Sequence, residues 1–588
     1  MKWVLAESDE GTVAALSEGA GLHPLIARLM VIRGITGLSD VRAFLDCELS
    51  SLSGPGIFAG MEGAVGRIRK ALAIREKIVV YGDYDVDGVS GAALLYLALK
   101  HLGAEADCYL PDRMSEGYGL NPRAVERIKA SGAGLVVTVD CGIGAVQEAQ
   151  QARSLGLDLI ITDHHEIDRL DSSNSLNGLN SLNGLILPDA CAILHPLLLL
   201  PDTPAAIREQ VSGLTGVGVA FKLAQALFGL DVVDDRMTPY LDLVTLGTVA
   251  DVGRISGENR VLVKHGLERL SFDEEKQRPG IAELKRVSGL TGKKIGVGNV
   301  GFTLAPRINA SGRLERADTA FRLLTTESRE EARDLASTLD AVNKERQSVE
   351  EGISEQARRF CLQEDMSVTG AFVLSSEDWH PGVIGIVASR MVEEFYRPTA
   401  LICVKDGVGK GSARSIPGFD LYQGLAQCSD LLLGFGGHKY AAGFTITEER
   451  ILQFRERLSA LVIEAVGSEG FVRTLSVDGA VVLDDLTIGL MQELEKLAPF
   501  GQGNPEPRLG ARGLEVVSSR IVGNNHLKLR LRDRGGTALD AIAFKRGNLL
   551  GKQVRDGARV AAVFTPRINA WSGKTAVELE IRDIKVDK

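Results

Sequence analysis

The sequence predicts a multidomain α/β protein with a parallel-sheet domain, a long helical linker, a second α/β domain and a C-terminal β-barrel. Three short β-branched runs, at 77–83, 134–140 and 156–163, each end in an acidic residue and are separated by helical-looking stretches. Such alternation indicates βαβ units around a parallel sheet. From about 316 to 360 the chain is dense in helix formers, and after about 470 alternating runs such as HLKLRLR favour a small barrel.

The length and composition fit a chain of several globular domains. The 588 residues are 45% hydrophobic and 24% charged, which is ordinary for folded proteins. At roughly 150 residues per domain, the length predicts three to four domains. We expect an N-terminal segment at 1–60, the parallel-sheet domain at 61–315, the helical linker at 316–361, the second α/β domain at 362–468 and the barrel at 469–588.

The sequence carries no signature of export or of membrane insertion. Its first residues, MKWVLAESDEGT, lack a long apolar core, and no run reaches the roughly 18 consecutive apolar residues of a membrane span. The seven Cys are scattered without a CxxC pair, which argues against a disulfide scaffold or a zinc ribbon and fits a reducing compartment. These features predict a cytoplasmic protein.

The charge is distributed unevenly along the chain. The net charge is −10, yet residues 501–588 carry 17 Lys and Arg against 9 Asp and Glu. This segment is therefore +8, and the other 500 residues are −18. Such asymmetry is typical of a basic module joined to an acidic body, and a basic module suits a polyanionic partner. Ordinary variation of surface charge is the alternative explanation.

The segment YGDYDVDG places three carboxylates, Asp83, Asp85 and Asp87, within five residues. These charges would repel one another without a cation, so the pattern predicts a site for a hard metal ion. A calcium EF-hand also begins DxDxDG, but it needs a Glu at loop position 12, where this chain has Leu94. The EF-hand interpretation is therefore excluded.

Further candidate ligands follow the other two predicted strands. Asp140 ends LVVTVD, and Asp163, His164 and His165 end the third strand. Carboxyl ends of parallel strands gather at one edge of the sheet, and a mixed Asp and His set suits Mn²⁺ or a similar ion better than calcium. The alternative is that the two His cap a strand or fill a core. Asp251 follows the apolar run LDLVTLGTVAD, and its spacing alone indicates only a structural carboxylate.

Taken in order, the motifs YGDYDVDG, TVDCG, TDHHE and GTVAD resemble the four-motif signature of the DHH phosphoesterase superfamily. LAPRINASGRL (304–314), WHPGVIGIVASR (379–390), GKGSARSIPGFDL (409–421) and GFGGHKYAAG (434–443) extend the resemblance, the last three to the DHHA1 domain. The tail resembles the OB-fold of the single-strand-specific exonucleases in this superfamily. The resemblance covers nearly the whole chain after about residue 60.

The resemblance implies a single-stranded-DNA-specific 5′→3′ exonuclease that acts in DNA recombination and repair and releases 5′-mononucleotides. It implies two ions, Mn²⁺ or Mg²⁺, held by the following ligands: Asp83 and Asp85 for one, Asp87 and His164 for the other, Asp140 between them and Asp251 completing the shell. Two such ions can supply hydroxide near neutral pH and stabilise the phosphoryl centre. A helicase and a single-stranded-DNA-binding protein are implied as partners.

The resemblance also implies roles for neighbouring residues. His165 would face the scissile phosphate as donor or acid, and Asp163 would orient a neighbouring His; packing is the alternative for His165. Arg side chains can hold phosphate in a bidentate fork, and Gly pairs can present backbone N–H groups to it. The candidates for substrate binding are Arg113, Arg307, Asn309, Arg313, Ser412, Arg414, Gly436, Gly437 and His438. Any of these could instead serve a turn or the surface, and Trp379 is expected in the core.

Rival functions lie inside and outside the superfamily. A short-oligonucleotide ribonuclease, a cyclic-dinucleotide phosphodiesterase or a pyrophosphatase would not need the basic barrel and the linker, which favour a long polymer. A non-catalytic DNA-binding protein of this fold tends to lose metal ligands, whereas every expected Asp and His is present. The chain departs from the pattern at the Ser/Asn/Leu/Gly repeat 171–185, for which we predict a loop insertion without chemistry, and at the following LILPDACAILHP.

Overall fold

The computed structural model describes residues 1–587 except 114, 170–179, 183, 315, 468, 552–553 and 572–573. The predicted order of parallel-sheet domain, helical linker, second α/β domain and β-barrel is confirmed. Most of the repeat at 171–185 lies outside the described residues, and its last residues begin a two-stranded hairpin.

The N-terminal segment packs on the C-terminal barrel. It consists of strand β1 (Lys2–Leu5) and helices α1 (Glu10–Ala20), α2 (Pro24–Ile32) and α3 (Leu38–Asp46). β1 pairs in parallel with residues 474–477, and buried side chains such as Leu29 and Val41 share one hydrophobic core with the barrel. The N-terminal segment and the barrel therefore form one body.

The first domain is built on a five-stranded parallel sheet. Its elements are α4 (Met61–Ala73), β2 (Ile78–Gly82), α5 (Val86–His101), β3 (Ala106–Tyr109), α6 (Pro122–Ala130), β4 (Leu135–Val139), α7 (Val146–Ser154), β5 (Asp158–Thr162), β6 (Asn180–Leu182), β7 (Leu185–Leu187) and β8 (Ala192–Leu194). The strand order is β3-β2-β4-β5-β8. Hydrophobic cores on both faces bury the central strands, which explains their continuous apolar runs.

A helical layer and the linker follow the sheet. They comprise α8 (Ala205–Val211), α9 (Gly216–Leu227), α10 (Leu241–Ala250), α11 (Gly257–Leu270), α12 (Pro279–Val287), α13 (Val297–Asn299), a π-helix (Val300–Leu304), α14 (Ala305–Leu314), α15 (Asp318–Thr325) and α16 (Arg329–Gln363). The predicted linker, 316–361, contains α15 and most of the 35-residue α16. Helix α16 packs against α12 and α14 of the first domain, and its later residues Ile353 and Ala357 enter the core of the second domain.

The second domain has a mixed five-stranded sheet. Its elements are β9 (Phe372–Ser376), α17 (Ile384–Phe395), β10 (Thr399–Lys405), β11 (Val408–Arg414), α18 (Leu421–Ala426), β12 (Leu432–Gly437), β13 (Ala441–Thr447) and α19 (Ile451–Val466). The order is β12-β13-β11-β10-β9, with only β9 and β10 parallel. This sheet carries the Gly-rich motifs of the second domain to the cleft that faces the first domain.

The last body is a closed barrel. Its elements are β14 (Thr474–Val477), β15 (Gly479–Ala480), α20 (Ile488–Glu495), β16 (Leu509–Val522), β17 (His526–Arg532), β18 (Ala538–Ala543), β19 (Arg559–Trp571) and β20 (Lys574–Val586). The order β16-β17-β18-β20-β19 closes because β16 also pairs with β19. Five strands closed in this way are typical of an OB-fold.

One buried arginine connects the barrel to the first domain. Arg260 on α11 is 3% exposed and donates hydrogen bonds to the carbonyl groups of Phe44 (2.5 Å), Lys496 (3.1 Å) and Ala498 (2.8 Å). The domain that holds the sheet is thereby bound to both parts of the barrel body. No helix in the described part of the chain is both long and apolar enough to cross a membrane.

Candidate active site

Three predicted site residues lie together because three parallel strands end at the same edge. Asp83 directly follows β2, Asp140 follows β4 and Asp163 follows β5. Asp140 has a φ of 64°, a left-handed conformation that Asp tolerates better than most residues. This conformation turns the chain sharply at the end of the strand, where the side chain of Asp140 is 3% exposed.

Two helix N-termini hold the next two carboxylates. Asp85 caps α5 and accepts from the N–H groups of Asp87 (2.9 Å) and Gly88 (3.1 Å). Asp87, in the first turn of that helix, accepts from the N–H groups of Gly216 (2.7 Å) and Val217 (3.1 Å) at the start of α9. Unpaired N–H groups and the helix dipole favour negative charge at both places.

The imidazole of His164 lies among three carboxylates. Its Nε2 atom is 3.1 Å from Oδ1 of Asp140, 3.8 Å from Oδ2 of Asp251 and 3.9 Å from Oδ2 of Asp87. Potential ligand atoms within 4.8 Å of one another form three groups: Asp83, Asp85 and Asp140; Asp87, His164 and Asp251; and Asp140, His164 and His165. All six sequence-predicted ligands therefore belong to one cluster.

The chemistry of this cluster fits a pair of divalent cations. Oδ1 of Asp83, Oδ1 of Asp140 and Nε2 of His164 are buried without a hydrogen-bond partner among the described residues. Burial, and then repulsion by neighbouring carboxylates, raises the pKa of Asp87 and Asp140 well above its usual value, and that of Asp251 to about 7. Burial lowers the pKa of His164 to about 4, so its imidazole is neutral and can serve as a metal ligand. Carboxylates with one imidazole suit Mn²⁺ or Mg²⁺.

Asp163 uses its oxygens to hold the turn that carries the two His. Its carboxylate accepts from the N–H groups of Ile143 (2.9 Å), His164 (2.7 Å) and His165 (3.2 Å), and from Nδ1 of His165 (2.7 Å). Although burial opposes it, these bonds keep the pKa of Asp163 below its usual value. Burial lowers the pKa of His165, but the bond to Asp163 outweighs it and raises this pKa to about 9. Asp163 is thus placed to orient His165.

Sequence reasoning missed two residues that contact His165. The hydroxyl of Tyr118 lies 3.1 Å from Nδ1 and 3.2 Å from Nε2 of His165. Buried His195 accepts from the N–H of Leu197 through Nδ1 (3.1 Å), so its Nε2 carries the proton and donates to the carbonyl of His165 (2.8 Å). The sequence signals were weak, since Tyr118 shares a loop with Arg113 and His195 lies in the segment that departs from the family pattern.

A cavity of about 470 Å³ opens between the first and second domains. Its lining includes five of the predicted substrate-binding residues: Arg113, Arg313, Ser412, Arg414 and Gly436. The cavity adjoins the carboxylate cluster, because Arg113 lies over the ring of Tyr84 (5.0 Å to its centre), which sits between Asp83 and Asp85 in the chain.

The cavity concentrates positive charge. Burial, and then the proximity of Arg113, Arg346 and Arg414, lowers the pKa of Arg313 to about 10. Burial and Arg113 likewise lower the pKa of Arg414, whose guanidinium donates to the hydroxyl of Ser412 (3.1 Å). Arginines remain charged at such values, so their mutual repulsion favours binding of an anion with phosphate geometry.

The other four predicted substrate residues are not among the described residues that line the cavity. Arg307 forms an ion pair with Asp340 of the linker helix (2.9 Å) and donates to the carbonyl of Thr303, and neither Arg307 nor Asn309 is among the described residues that line the cavity. Gly437, with a φ of 138°, lies at the end of β12. The exposed His438 has Nδ1 3.6 Å from Oε2 of Glu166, across the cleft. Trp379 is 3% exposed, as expected for a core residue.

Comparison with known proteins identifies each domain. Residues 77–248 match the DHH family N-terminal domain, 365–464 the DHHA1 domain and 477–583 the RecJ OB domain. The single-stranded-DNA-specific exonuclease RecJ of Bacillus subtilis is 38% identical over 592 residues, covering all of this chain and 71% of the relative. The crystal structure of RecJ from Thermus thermophilus with Mn²⁺ matches with a TM-score of 0.80 and 31% identity, covering all of this chain and 80% of that one. The crystal structure with Mg²⁺ matches with a TM-score of 0.75 and 30% identity, covering all of this chain and 79% of that one.

Proposed function

The chain belongs to the RecJ family of DHH/DHHA1 phosphoesterases, and from this premise we propose that it is a metal-dependent, single-stranded-DNA-specific exonuclease. It degrades DNA in the 5′→3′ direction, hydrolyses phosphodiester bonds with two metal ions, releases 5′-mononucleotides and acts in DNA recombination and repair. The observation that carries this proposal is one continuous site, in which a buried cluster of five Asp and one His adjoins an arginine-lined cavity.

The chain's own residues have distinct tasks in this mechanism. Of the three groups of neighbouring ligand atoms, Asp83, Asp85 and Asp140 would hold one ion and Asp87, His164 and Asp251 the other, with Asp140 also close to His164. Bound there, the metal ions lower the pKa of a water and neutralise charge on the phosphate. His165, held by Asp163, donates a hydrogen bond to a phosphate oxygen or a proton to the leaving group.

The arginine-lined cavity supports the 5′→3′ direction. Arg113 belongs to the first domain, and Ser412 and Arg414 belong to the second, so side chains of both domains can bind one terminal phosphate. A 5′-phosphate held there would leave the adjoining phosphodiester next to the carboxylate cluster. Gly436 lines the cavity and could offer its backbone N–H to a phosphate, and His438, which follows β12, could donate a hydrogen bond from the second domain.

The barrel supports a polymeric substrate. An OB-fold can follow a phosphate backbone through basic side chains without reading sequence. Part of its positive charge is neutralised on its own surface, for instance in the pairs Arg530–Asp540 (3.0 Å) and Arg532–Glu515 (3.0 Å). These acidic partners are already counted in the net charge of +8 between 501 and 588, so this excess is what remains to attract a phosphate backbone. A helicase and a single-stranded-DNA-binding protein are the partners we propose, in the cytoplasm.

The test is digestion of 5′-phosphorylated single-stranded and duplex DNA, labelled at either end, with Mn²⁺ or Mg²⁺ and beside the Asp140→Ala protein. Early release of the 5′ label from single strands, lost in the variant, is the expected result. Arg414→Met is expected to reduce the preference for 5′-phosphate over 5′-hydroxyl ends.

Two other outcomes would contradict the proposal. Cleavage of di- to pentanucleotides alone would make the protein an oligonucleotidase. DNA binding without cleavage under either metal would leave a non-catalytic DNA-binding protein.

A further inference from the structure

Phe302 is the most exposed large apolar side chain in the described part of the chain. It is 88% exposed, whereas the other exposed large apolar side chains reach at most 67%. Single apolar side chains are common on protein surfaces, so exposure alone indicates little. Two further observations indicate a function for this ring: the position of Phe302 and the backbone that carries it.

The backbone around Phe302 is an anchored, irregular turn. Phe302 is the central residue of the five-residue π-helix Val300–Leu304, and the side chains of Val300 and Leu304 at its two ends are fully buried. A single π-helical turn points its side chains in other directions than an α-helix does, and such turns occur frequently at functional sites. The structure therefore holds the phenyl ring outward from a fixed base.

This turn packs on the end of α10, the helix that leads to Asp251. A methyl group on Gly301 would be 3.6 Å from Cγ1 of Val249, which precedes Asp251 by two residues on the same chain segment. At the far end of α14, a methyl group on Gly312 would meet the carbonyl oxygen of Tyr84 at 2.6 Å, between Asp83 and Asp85 in sequence. The segment from the π-helix to the end of α14 therefore contacts two of the chain segments that carry the ligands, the one that leads to Asp251 and the one between Asp83 and Asp85.

A second exposed apolar side chain lies next to Asp251 in the chain. Val252 directly follows Asp251, is 67% exposed and has a φ of 58°, which is strained for a β-branched residue. Strained residues concentrate at functional sites. We refer to these two exposed apolar side chains, Phe302 and Val252, as the rim, whereas the cavity presents Arg113 and Arg414. Phosphates suit the arginines, and flat apolar bases suit the rim.

We propose that Phe302 is a substrate-binding residue that stacks on a nucleobase of the single-stranded DNA close to the scissile phosphate. An aromatic ring stacks on any base, so this contact adds affinity without sequence preference. The inference rests on the proposed function and deepens it, because it names a subsite for a base at a site otherwise built for phosphates and metal ions.

The experiment measures binding without catalysis. Fluorescence anisotropy with a labelled 5′-phosphorylated oligothymidylate of about 12 nucleotides, in EDTA, gives Kd for the wild type and for Phe302→Ala. One base–aromatic stack corresponds to a loss of affinity of about 5- to 150-fold in this variant. Phe302→Tyr keeps the ring and is expected to bind within about two-fold of the wild type. The melting temperature of Phe302→Ala should be unchanged, because the ring is exposed.

Phe272→Ala is the matched control. Phe272 is a half-exposed phenylalanine of the same domain and lies just beyond the end of α11. This helix has 14 residues, is roughly 21 Å long and starts six residues after Asp251. Phe272 is therefore at the end of the helix that is farther from Asp251. Its removal should leave Kd unchanged. An abasic residue placed in turn at each of the first six positions should weaken binding of the wild type at one position, and this effect should be absent in Phe302→Ala.

The outcomes separate this inference from the proposed function. If the wild type binds and digests single strands and Phe302→Ala binds equally well, the stacking contact is wrong and the exonuclease proposal stands. An equal abasic effect in wild type and variant would also overturn the stacking contact. If the wild type neither binds nor digests single-stranded DNA, the proposed function fails and the subsite fails with it.

Discussion

Nε2 of His164 lies 3.1 Å from Oδ1 of Asp140, and both atoms are buried without a hydrogen-bond partner in the described part of the chain. Buried polar atoms are normally satisfied, so an unsatisfied pair at the centre of a carboxylate cluster indicates a place kept for cations. The arrangement costs stability when no cation is present, because burial and like charges both disfavour ionised Asp140.

We therefore expect Asp140→Asn to separate metal binding from folding. Without metal, its melting temperature should equal or exceed that of the wild type, because one repelling charge is removed. Mn²⁺ at about 100 times Kd should stabilise the wild type by about 2.7 kcal/mol and the variant by much less. Differential scanning calorimetry with and without Mn²⁺ measures both effects.

Asp242→Asn is the control for this comparison. Asp242 is also buried, but it pairs with Arg278 (3.1 Å) outside the cluster. Its loss should lower the melting temperature and leave the Mn²⁺-induced increase intact. An equal Mn²⁺-induced increase in wild type and Asp140→Asn would show that the ions bind elsewhere.

Gly216 is a second test of the site, because the start of α9 packs directly on Asp140. A Cβ atom at Gly216 would lie 2.4 Å from Cβ of Asp140 and 2.6 Å from its Oδ1, so Gly216→Ala must displace the helix or the carboxylate. The N–H of the same residue donates to Asp87 (2.7 Å), and the displacement would disturb that ligand as well. We expect a protein that folds but needs more than about ten-fold higher Mn²⁺ for half-maximal nuclease activity, a change of about 1.4 kcal/mol.

Gly66→Ala is the matched control for Gly216→Ala. Gly66 lies in the middle of α4, and among the described residues no atom outside the surrounding turns of its own helix is within 4 Å of the position that a Cβ would take there. The substitution should therefore stabilise the helix by up to about 1 kcal/mol and leave metal dependence unchanged. Metal titration of nuclease activity compares the two variants. Unaltered metal dependence in Gly216→Ala would mean that the close contact with Asp140 is unimportant for the ions.

The sequence predicted the metal cluster because its geometry follows from local rules. Each βαβ unit has a strand that ends in Asp, and parallel strands end at the same edge of the sheet. Asp83, Asp140 and Asp163 therefore meet at one edge, independently of the loop conformations. The DxDxDG turn at the start of α5 adds its ligands through helix capping, which is also local. Asp251 required the family resemblance, since it reaches the cluster only through the packing of α10.

Contacts between distant segments were not predictable in this way. Arg307 stays a predicted phosphate ligand, but its ion pair with Asp340, which forms because the linker helix docks there, was not predicted. The contact of Tyr118 with His165 depends on a loop path, and the pairing of β1 with residues 474–477 joins segments about 470 residues apart. Neither a spacing nor a periodicity in the sequence carries this information.

Removing one partner of a buried ion pair should strongly destabilise the first domain. Nζ of Lys222 lies 2.7 Å from Oε2 of Glu258, and the side chains are 0% and 2% exposed. Ser53 completes the group, because its carbonyl accepts from Lys222 (2.6 Å) and its N–H donates to Glu258 (2.6 Å). Lys222→Met leaves the carboxylate buried without its partner and should cost about 3–5 kcal/mol.

Calorimetry of three variants tests this pair. Lys222→Met combined with Glu258→Gln should recover part of the loss, because no unpaired charge remains. Arg236→Met, which breaks an exposed pair with Asp234, should cost at most about 1 kcal/mol. A loss in Lys222→Met no larger than that of Arg236→Met would contradict the importance of the buried pair.

The buried Arg260 should couple the barrel to catalysis on long substrates. Its guanidinium joins α11, which starts shortly after Asp251, to carbonyl groups of Lys496 and Ala498 on the barrel side. Arg260→Met removes these bonds while keeping an apolar stem, so the barrel should be held less firmly relative to the carboxylate cluster, and the bond from the N–H of Ile255 to the carbonyl of Gln502 (2.6 Å) remains. KM for strands of about 20 nucleotides should rise, because both parts of the protein must engage one strand, whereas KM for strands of about 4 nucleotides should stay the same. Glu268→Gln, at an exposed position of the same helix, should change neither value. An equal rise of KM for short and long strands would instead mean that Arg260 supports the fold of the first domain rather than the position of the barrel.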